Sequence, residues 1–400
     1  MLVVDANHPV LDHIELDETI SLLQDLVRDP DSVNPPGDVR HSIEVARATL
    51  EAEGFDCETI GDLEHVPNLV ARYRFGDGPS LLYNAHVDVV PVGDESAWEF
   101  PPFDGTIARG RVYGRGSGDD KASVVAQIMG AIAVKRAGIE LAGEIIVNVC
   151  GDEETGGTHG AKYTVDYLDP KPDFVVAGEQ TLNRVCVGER GGAGVTVTVI
   201  GKTAHAALPW NGVHAIEGAA EIIAALRREL WPKLGARRHP LFDPPSTATV
   251  SIIEGGVKTN VVPDRCTFHV DRRILPGETS EGAADEIKAI AERVVSQFPG
   301  MRVEISGRSD GRATLLDVDS AIVHAMSAAN SVLGIPPEPI GYNMATDGRH
   351  FAAAGIPTII YGPGDPSLAH VPNEWVGIDE VMEATRAYAL CAVELLSNDS

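Results

Sequence analysis

Basic residues are scarce in this sequence. Lysine and arginine together number 32, against 59 aspartates and glutamates in 400 residues, which gives a formal net charge of −27. A protein that binds nucleic acid or an anionic membrane through general electrostatics needs a basic face, so this balance argues against both partners. An anionic substrate would have to be held by individual arginines or lysines that act against the overall field.

Cysteines are few and scattered. The five of them lie at positions 57, 150, 186, 266 and 391, with no CxxC pair. An odd, dispersed set does not suit a disulfide framework and is typical of a reducing compartment. No stretch reaches the ~20 apolar residues of a membrane span, and the N-terminal segment contains acids but no apolar run typical of a signal peptide. We therefore expect a cytoplasmic protein.

Several common catalytic motifs are absent. The sequence contains no G-x-S-x-G, and no G-x-G-x-x-G lies between a predicted strand and a predicted helix. The glycine-rich segment 114–118 lacks the Lys-Ser/Thr end of a phosphate-binding loop. Nucleophilic-serine, dinucleotide-binding and P-loop chemistry are therefore not indicated.

The first half of the chain alternates between helical and strand patterns. Amphipathic helices are predicted at 17–27 and 38–53, and an apolar helix at 119–137. Strands are predicted at 80–86 and 144–150, the second a continuous apolar run that suits a buried central strand. This βαβ rhythm predicts an α/β domain with a mostly parallel mixed sheet flanked by helices.

The middle of the chain follows a different order. Residues 189–305 read as β-α-β-β-α-β, which is the split βαβ arrangement of a ferredoxin-like α+β domain. The α/β rhythm then resumes. We therefore predict one domain formed by residues 1–188 and 306–400, with residues 189–305 inserted into it.

Ionisable residues follow several predicted strands, where ligands bind in open parallel sheets. His86 ends strand 80–86, and Asp88 lies two residues further on. A histidine that binds a metal ion commonly donates its other ring N–H to a carboxylate, and His-x-Asp supplies that pair locally. The alternative for this segment is a polar turn.

Acidic residues mark two further segments. Asp119 follows the glycine-rich segment and opens the next helix, where carboxylates are favoured even without a ligand. Asp152, Glu153 and Glu154 follow strand 144–150, where like charges repel unless a cation offsets them. Of two adjacent carboxylates, one can bind a metal ion while the other acts as a general base. A solvated acidic turn is the alternative.

Two more candidates complete the set. Glu179 ends a predicted strand, and His370 lies in a loop after another. Together these residues offer nitrogen and oxygen ligands without a thiolate, which suits two zinc, manganese or cobalt ions bridged by a carboxylate. Two such ions can activate a water molecule and polarise a carbonyl group, as in aminopeptidases.

These motifs resemble the acetylornithine deacetylase, succinyl-diaminopimelate desuccinylase, aminoacylase and glutamate carboxypeptidase family of co-catalytic dinuclear metallohydrolases. The resemblance spans residues 15–396 and keeps the family's order of motifs. They are His86-x-Asp88, Gly-Arg-Gly-x-x-Asp119, Asp-Glu153-Glu154-x-Gly-Gly, Gly-Glu179 and the late His370.

The resemblance implies two divalent metal ions, with zinc expected and manganese or cobalt as alternatives. His86, Asp119 and Glu179 would hold one ion. Asp119, Glu154 and His370 would hold the other, so that Asp119 bridges them. Relatives have a cis peptide bond after the bridging aspartate, and we expect one between Asp119 and the following residue.

The resemblance also implies roles outside the ligands. Glu153 would be the general base that takes a proton from a metal-bridging water, and Asp88 would orient His86. The inserted domain would be a lid that also forms a homodimer. His205 in Gly-Lys-Thr-Ala-His would stabilise the tetrahedral oxyanion from its own chain or from the partner subunit.

Three positions match residues that hold the substrate in this family. Asn260 and Arg273 would hold a substrate carboxylate, and a guanidinium suits that task because it binds a carboxylate through two hydrogen bonds. Arg272 competes with Arg273, because strand alternation directs only one of them inward. Gly364 would be a backbone anchor for the substrate. Asp120 and His214 depart from the family pattern and leave the substrate open.

We therefore predict a metal-dependent hydrolase of an amide-type C–N bond, acting on an N-acyl amino acid or a similar small carboxylate. The alternatives at the same centre are a di- or tripeptidase, a carboxypeptidase, or a hydrolase of another C–N bond, such as a carbamoyl group or the bond cleaved in a deamination. A non-catalytic association module is disfavoured, because the ligands and Glu153 are all present.

Overall fold

The computed structural model describes residues 4–309 and 311–397. They form two compact units. Unit 1 comprises the chain up to Gly188, the segment Leu316–Ile340 and the chain from Thr346 onward. Unit 2 comprises Glu189–Leu315 and Gly341–Ala345, so it runs past residue 305, where we predicted the insertion to end. The assignment of catalytic and lid roles to the two units stays a prediction.

Ten α-helices lie in the described residues. They are α1 Leu16–Val27, α2 Arg40–Ala52, α3 Lys121–Ala137, α4 Ala161–Tyr167, α5 Ala215–Glu229, α6 Trp231–Ala236, α7 Ser280–Val295, α8 Ala321–Leu333, α9 Gly348–Ala353 and α10 Ile378–Leu396.

Seventeen strands lie in the same residues. They are β1 Asp56–Ile60, β2 Asn68–Arg74, β3 Ser80–His86, β4 Thr106–Ala108, β5 Arg111–Tyr113, β6 Glu144–Cys150, β7 Phe174–Gly178, β8 Cys186–Glu189, β9 Gly191–Ile200, β10 Ala204–His205, β11 Thr247–Gly255, β12 Val261–Val262, β13 Arg265–Ile274, β14 Arg302–Ser309, β15 Ile340–Tyr342, β16 Thr358–Tyr361 and β17 Trp375–Gly377.

Unit 1 is built on a mixed sheet that contains the strands β1-β2-β6-β3-β7-β16-β8 in this order. Its four central strands, β6, β3, β7 and β16, run parallel. Successive side chains of a strand point to opposite faces: Leu82 packs with residues of α4 and α9, whereas the Tyr83 hydroxyl donates to the carbonyl of Tyr388 in α10. Helices therefore cover both faces, and the predicted α/β class is confirmed.

The parallel centre of this sheet determines where the candidate residues meet. Strands β3, β6 and β7 all end at the same edge, because parallel strands share one direction. His86 is the last residue of β3, Glu153 follows the end of β6, and Glu179 follows β7. A small sheet in the order β17-β5-β4 joins the segment after His370 to the segment before Asp119, since Trp375 of β17 pairs with Tyr113 of β5.

Unit 2 contains a four-stranded antiparallel sheet in the order β11-β13-β9-β14. With α5 after β9 and α7 after β13, this is the ferredoxin-like arrangement that the β-α-β-β-α-β order predicts. Apolar and polar residues alternate along β9 and β13. The buried apolar side chains of these strands form one core with residues of α5 and α7. Strand β11 is an edge strand of this sheet.

Unit 2 also buries an arginine. Arg272 is fully buried, and its Nη1 donates to the carbonyl oxygen of Thr247 at 3.0 Å. Its Nη2 lies 3.3 Å from a carboxylate oxygen of Glu278 and 3.4 Å from one of Glu286. Glu278 pairs with Arg237 at 2.7 Å as well. Arg272 is thus part of an internal ion network that stabilises unit 2.

The substitution Glu278→Gln is expected to lower the free energy of unfolding by about 3 kcal/mol near neutral pH, because it leaves a buried cation with incomplete compensation. Burial alone would raise the pKa of Glu278, but hydrogen bonds from Ser246, Leu275 N–H and Arg237 hold that pKa below its usual value. Such a carboxylate stabilises the fold above its unfolded-state pKa and loses this effect as the pH falls through the folded-state pKa.

Urea unfolding of the wild type and the variant, followed as the pH is lowered from neutral, measures this effect. The difference in the free energy of unfolding between the two proteins should become smaller as the solution becomes acidic. Glu281→Gln is the matched control, because Glu281 is exposed on the first turn of α7. A difference in the free energy of unfolding that does not change with pH would contradict the stabilising role of the Glu278 carboxylate.

Candidate metal centre

His86 lies at the end of β3 with 2% of its side chain exposed. Its Nδ1 lies 3.0 Å from the carbonyl oxygen and 3.3 Å from Oδ1 of Asp88. Since both neighbours are acceptors, Nδ1 carries the proton of the neutral ring. Nε2 then presents a lone pair, and it lies 3.4 Å from Oδ1 of Asp119. Asp88 therefore orients a ring nitrogen that suits a metal ion.

Asp119 lies between two histidines. Its Oδ1 is 3.4 Å from Nε2 of His86, and its Oδ2 is 3.3 Å from Nε2 of His370. The same nitrogen of His370 lies 3.1 Å from the Glu154 carboxylate. The ligand atoms of His86, Asp119 and Glu179 all lie within 4.8 Å of one another, and so do those of Asp119, Glu154 and His370. The Asp119 carboxylate thus offers one oxygen to each triad.

Two predictions from the sequence concern Asp119. The structure brings together all five predicted ligands, although they come from five separate segments of unit 1. The Asp119–Asp120 peptide bond is cis, which confirms that prediction.

Asp88 does more than orient His86. Its carboxylate accepts the backbone N–H groups of Glu153 and Glu154, both at 3.2 Å. It also accepts from the side-chain amide of Asn34 at 2.9 Å. One buried carboxylate therefore fixes the candidate base and two candidate ligands, His86 and Glu154. The sequence did not indicate Asn34, because nothing in the loop 32–37 distinguishes its amide from that of an ordinary turn residue.

The carboxylates of this centre lie close enough to repel one another. Burial and the charge of Asp119 raise the pKa of Glu179 well above its usual value. Burial and the charge of Asp347 do the same to the pKa of Glu153. Hydrogen bonds to the carboxylates of Asp119 and Glu154 raise the pKa of His370 to about 10. Two divalent cations would offset this negative charge, and the N/O donor set suits zinc, manganese or cobalt.

Glu153 begins a short 3₁₀ turn, Glu153–Thr155, directly before the candidate ligand Glu154. Its side chain is 11% exposed, and its Oε1 lies 4.0 Å from Nη2 of Arg349. Arg349 was not among the candidates from the sequence, because no motif marks it.

Unit 2 contains His205, Asn260 and Arg273. His205 lies in β10 and pairs with Val261 of β12, so Asn260, which precedes Val261, lies at the same end of this unit. The Nδ1 atom of His205 accepts the N–H of Ala207 at 3.1 Å. The neutral ring therefore carries its proton on Nε2, which makes that atom a hydrogen-bond donor.

The two neighbouring arginines differ in environment. Arg272 is buried in the ion network of unit 2, whereas 46% of the Arg273 side chain is exposed. The Nε atom of Arg273 lies 2.9 Å from Oδ1 of Asp271. Of the two, Arg273 is the one accessible to a ligand.

Gly364 and His214 already have partners. The carbonyl of Gly364 accepts the N–H of Leu182 at 3.0 Å, and its own N–H faces the carboxylate of Glu380. A substrate could therefore use only the second lone pair of that carbonyl. His214 accepts the N–H of Glu217 at 3.2 Å and caps α5, which gives it a structural role.

The sequence pattern of Peptidase family M20/M25/M40 matches residues 82–394. The chain belongs to this family. A succinyl-diaminopimelate desuccinylase of Marinobacter nauticus is 29% identical to this M20-family protein over 392 residues, which cover 96% of this chain and 100% of that protein.

Two solved structures resemble the M20-family protein. A tripeptidase from Staphylococcus aureus gives a TM-score of 0.77 at 23% identity and covers 96% of this chain and 99% of its own. A dinuclear metal-binding M20 peptidase from Bacillus subtilis gives a TM-score of 0.72 at 17% identity and covers 95% and 98%. At such identities the likeness establishes the fold alone.

Family membership confirms the reaction class. The M20-family protein is a metal-dependent hydrolase of amide-type C–N bonds. A metal site can form from His86, Asp119 and Glu179. Among the described residues, no helix is both long enough and apolar enough to cross a membrane.

Proposed function

We propose that this protein removes the acyl group of an N-acyl amino acid by hydrolysis at a dinuclear metal centre. The observation that carries the proposal is the position of Asp119, whose two oxygens face His86 and His370 in two triads. Glu153 lies next in sequence to a ligand of the second triad, where the general base is needed.

His86, Asp119 and Glu179 would hold one cation, and Asp119, Glu154 and His370 the other. When bound, the two ions supply a water of lowered pKa and a Lewis acid for the carbonyl oxygen. We propose zinc, because histidine nitrogen and carboxylate oxygen are among its ordinary ligands, and manganese and cobalt accept the same set.

Glu153 is proposed as the residue that moves protons. Its carboxylate is largely shielded from solvent, and its backbone is fixed by Asp88. It would take a proton from the attacking water and deliver it to the leaving nitrogen. Burial and the charge of Asp347 raise the pKa of Glu153, which makes its carboxylate a stronger base for that transfer.

The substrate proposal rests on charge and on the relatives. Arg273 and Asn260 lie in unit 2 as the cation and amide proposed to hold the substrate carboxylate. The Marinobacter nauticus relative is named as a desuccinylase, which favours an N-succinyl or another N-acyl amino acid for this chain.

Turnover over a panel of substrates tests this proposal. The panel contains N-succinyl, N-acetyl and N-carbamoyl amino acids, together with di- and tripeptides, each with added Zn²⁺, Mn²⁺ or Co²⁺. We expect the highest kcat/KM for an N-acyl amino acid. Higher kcat/KM for the peptides would instead favour the peptidase alternative.

His205→Ala is expected to lower kcat by about 10²- to 10³-fold with unchanged metal content. The reason is that Nε2–H of His205 would donate to the carbonyl oxygen as it becomes an oxyanion, an interaction made mainly in the transition state. A rise in KM without a fall in kcat would contradict this role.

The same variant tests whether His205 acts across a dimer. If it does, mixing inactive His205→Ala subunits with inactive Glu153→Gln subunits should restore part of the activity, because one site of the mixed dimer has both residues. Absence of recovery after verified subunit exchange would place His205 within its own chain or outside catalysis.

We propose a homodimer that forms through unit 2. Edge strand β11 carries Ile252 and Ile253, which are 52% and 51% exposed, and Val257 beyond its end is 85% exposed. Apolar side chains on an exposed sheet edge favour association with another strand. Analytical ultracentrifugation of the wild type and of Ile253→Lys tests the dimer.

We also propose a cytoplasmic location, since all five cysteines are free.

A further inference from the structure

Two segments that carry ligands of the second triad are joined by a buried ion pair. Arg115 lies in the glycine-rich segment that leads to Asp119, and Glu374 lies four residues after His370. The Nη1 atom of Arg115 is 2.5 Å from Oε2 of Glu374. Their side chains are 2% and 0% exposed.

The second oxygen of this carboxylate holds the ligand segment itself. Oε1 of Glu374 accepts the backbone N–H groups of Gly118 and Asp119, each at 3.0 Å. The backbone carbonyl of Glu374 accepts the N–H of Gly114 at 3.1 Å. The segment that ends in the bridging carboxylate is therefore fixed at both ends by one residue.

Stability alone is a weak explanation for this arrangement. Burying two charges costs desolvation free energy, and well-packed apolar residues often stabilise a fold as much or more. The same carboxylate binds the N–H of a metal-ligand residue, and a hydrogen-bonded charge fixes geometry more strictly than an apolar contact does. Residues that hold a ligand in this way commonly affect metal affinity about 10- to 100-fold.

We infer that Arg115 and Glu374 are a positioning pair, which holds the Asp119 carboxylate at the right place relative to His370 and so determines metal affinity. The inference rests on the proposed dinuclear centre. Arg115 keeps the Glu374 carboxylate in place, and that carboxylate fixes the backbone at Asp119. Neither side chain needs to touch the metal ions or the substrate.

Glu374→Asp is the main test. It keeps the charge but withdraws the carboxylate by one methylene, so the carboxylate no longer reaches Arg115 and both N–H groups together. We expect the dissociation constant of the more weakly bound Zn²⁺ to rise at least about 10-fold. The constant is measured on the folded, metal-depleted protein by competition with a chelator, without any substrate.

Glu374→Gln is the second variant and carries the comparison if Glu374→Asp does not fold. Its single acceptor oxygen has to serve either Arg115 or the two N–H groups, so weaker Zn²⁺ binding is expected again. Glu99→Gln is the matched control. It breaks the exposed Arg109–Glu99 pair, which has a similar distance of 2.6 Å, and should leave the constant within about twofold of the wild type.

The outcomes separate positioning from stability. A variant that melts at a lower temperature but binds Zn²⁺ as tightly as the wild type would overturn the inference, because Arg115 and Glu374 would then serve the fold only. Failure of the wild type to bind two equivalents of Zn²⁺ would instead overturn the proposed dinuclear centre, and the inference with it.

Discussion

Removal of divalent metal by chelation is expected to abolish amide hydrolysis, and Zn²⁺, Mn²⁺ or Co²⁺ should restore it. The five proposed ligands form two triads that share Asp119, and within each triad the ligand atoms all lie within 4.8 Å of one another. Without the ions, an unactivated water with a pKa far above neutral would have to attack the carbonyl carbon. The stripped protein is therefore expected to show activity below the detection limit.

Circular dichroism of the stripped protein is the control for this experiment. It should show that the fold persists, so that the loss reports the centre and not unfolding. Metal analysis should find two equivalents per chain after reconstitution. Full activity in a protein verified to be metal-free would show that the proposed centre is not the source of catalysis.

Glu153→Gln is expected to lower kcat by about 10²- to 10⁴-fold, while both metal ions stay bound. The amide is nearly isosteric with the carboxylate but cannot accept the proton of the attacking water. The proposed ligand Glu154 is unchanged, and Asp88 still accepts both backbone N–H groups of the turn. Parallel measurement of kcat and metal content separates a base from a ligand.

Glu154→Gln is the matched comparison, because it alters the neighbouring carboxylate on the same 3₁₀ turn. We expect it to weaken metal binding, and added metal should recover part of its activity. If Glu153→Gln instead loses one metal equivalent and recovers on reconstitution, the roles of Glu153 and Glu154 are reversed.

The five proposed ligands could be selected from the sequence because most of them follow an apolar strand or precede an apolar helix. His86 ends β3 and Glu179 follows β7, and both strands are apolar enough to be identified from composition. Parallel strands bring their carboxyl ends to one edge, so residues far apart in sequence could be expected to meet.

Supporting residues could not be found in this way. Asn34 lies in a loop and Arg349 at the start of α9, and their partners Asp88 and Glu153 are distant in sequence. Glu374 lies beside a predicted ligand, but its hydrogen bonds to Gly118 and Asp119 depend on how β17 pairs with β5. No periodicity or motif encodes such a pairing.

The sequence by itself determined the α/β class, the ferredoxin-like order of the second unit and the residue types of the proposed metal centre. Local apolar periods specify helices and strands, and the donor set of a metal site is a matter of residue identity. Only the tertiary structure decided that Arg272 is buried while Arg273 is accessible, that His214 caps a helix, and that one carboxylate fixes the segment before Asp119. These depend on strand register and loop packing, which arise from contacts between distant segments and leave no local pattern in the chain.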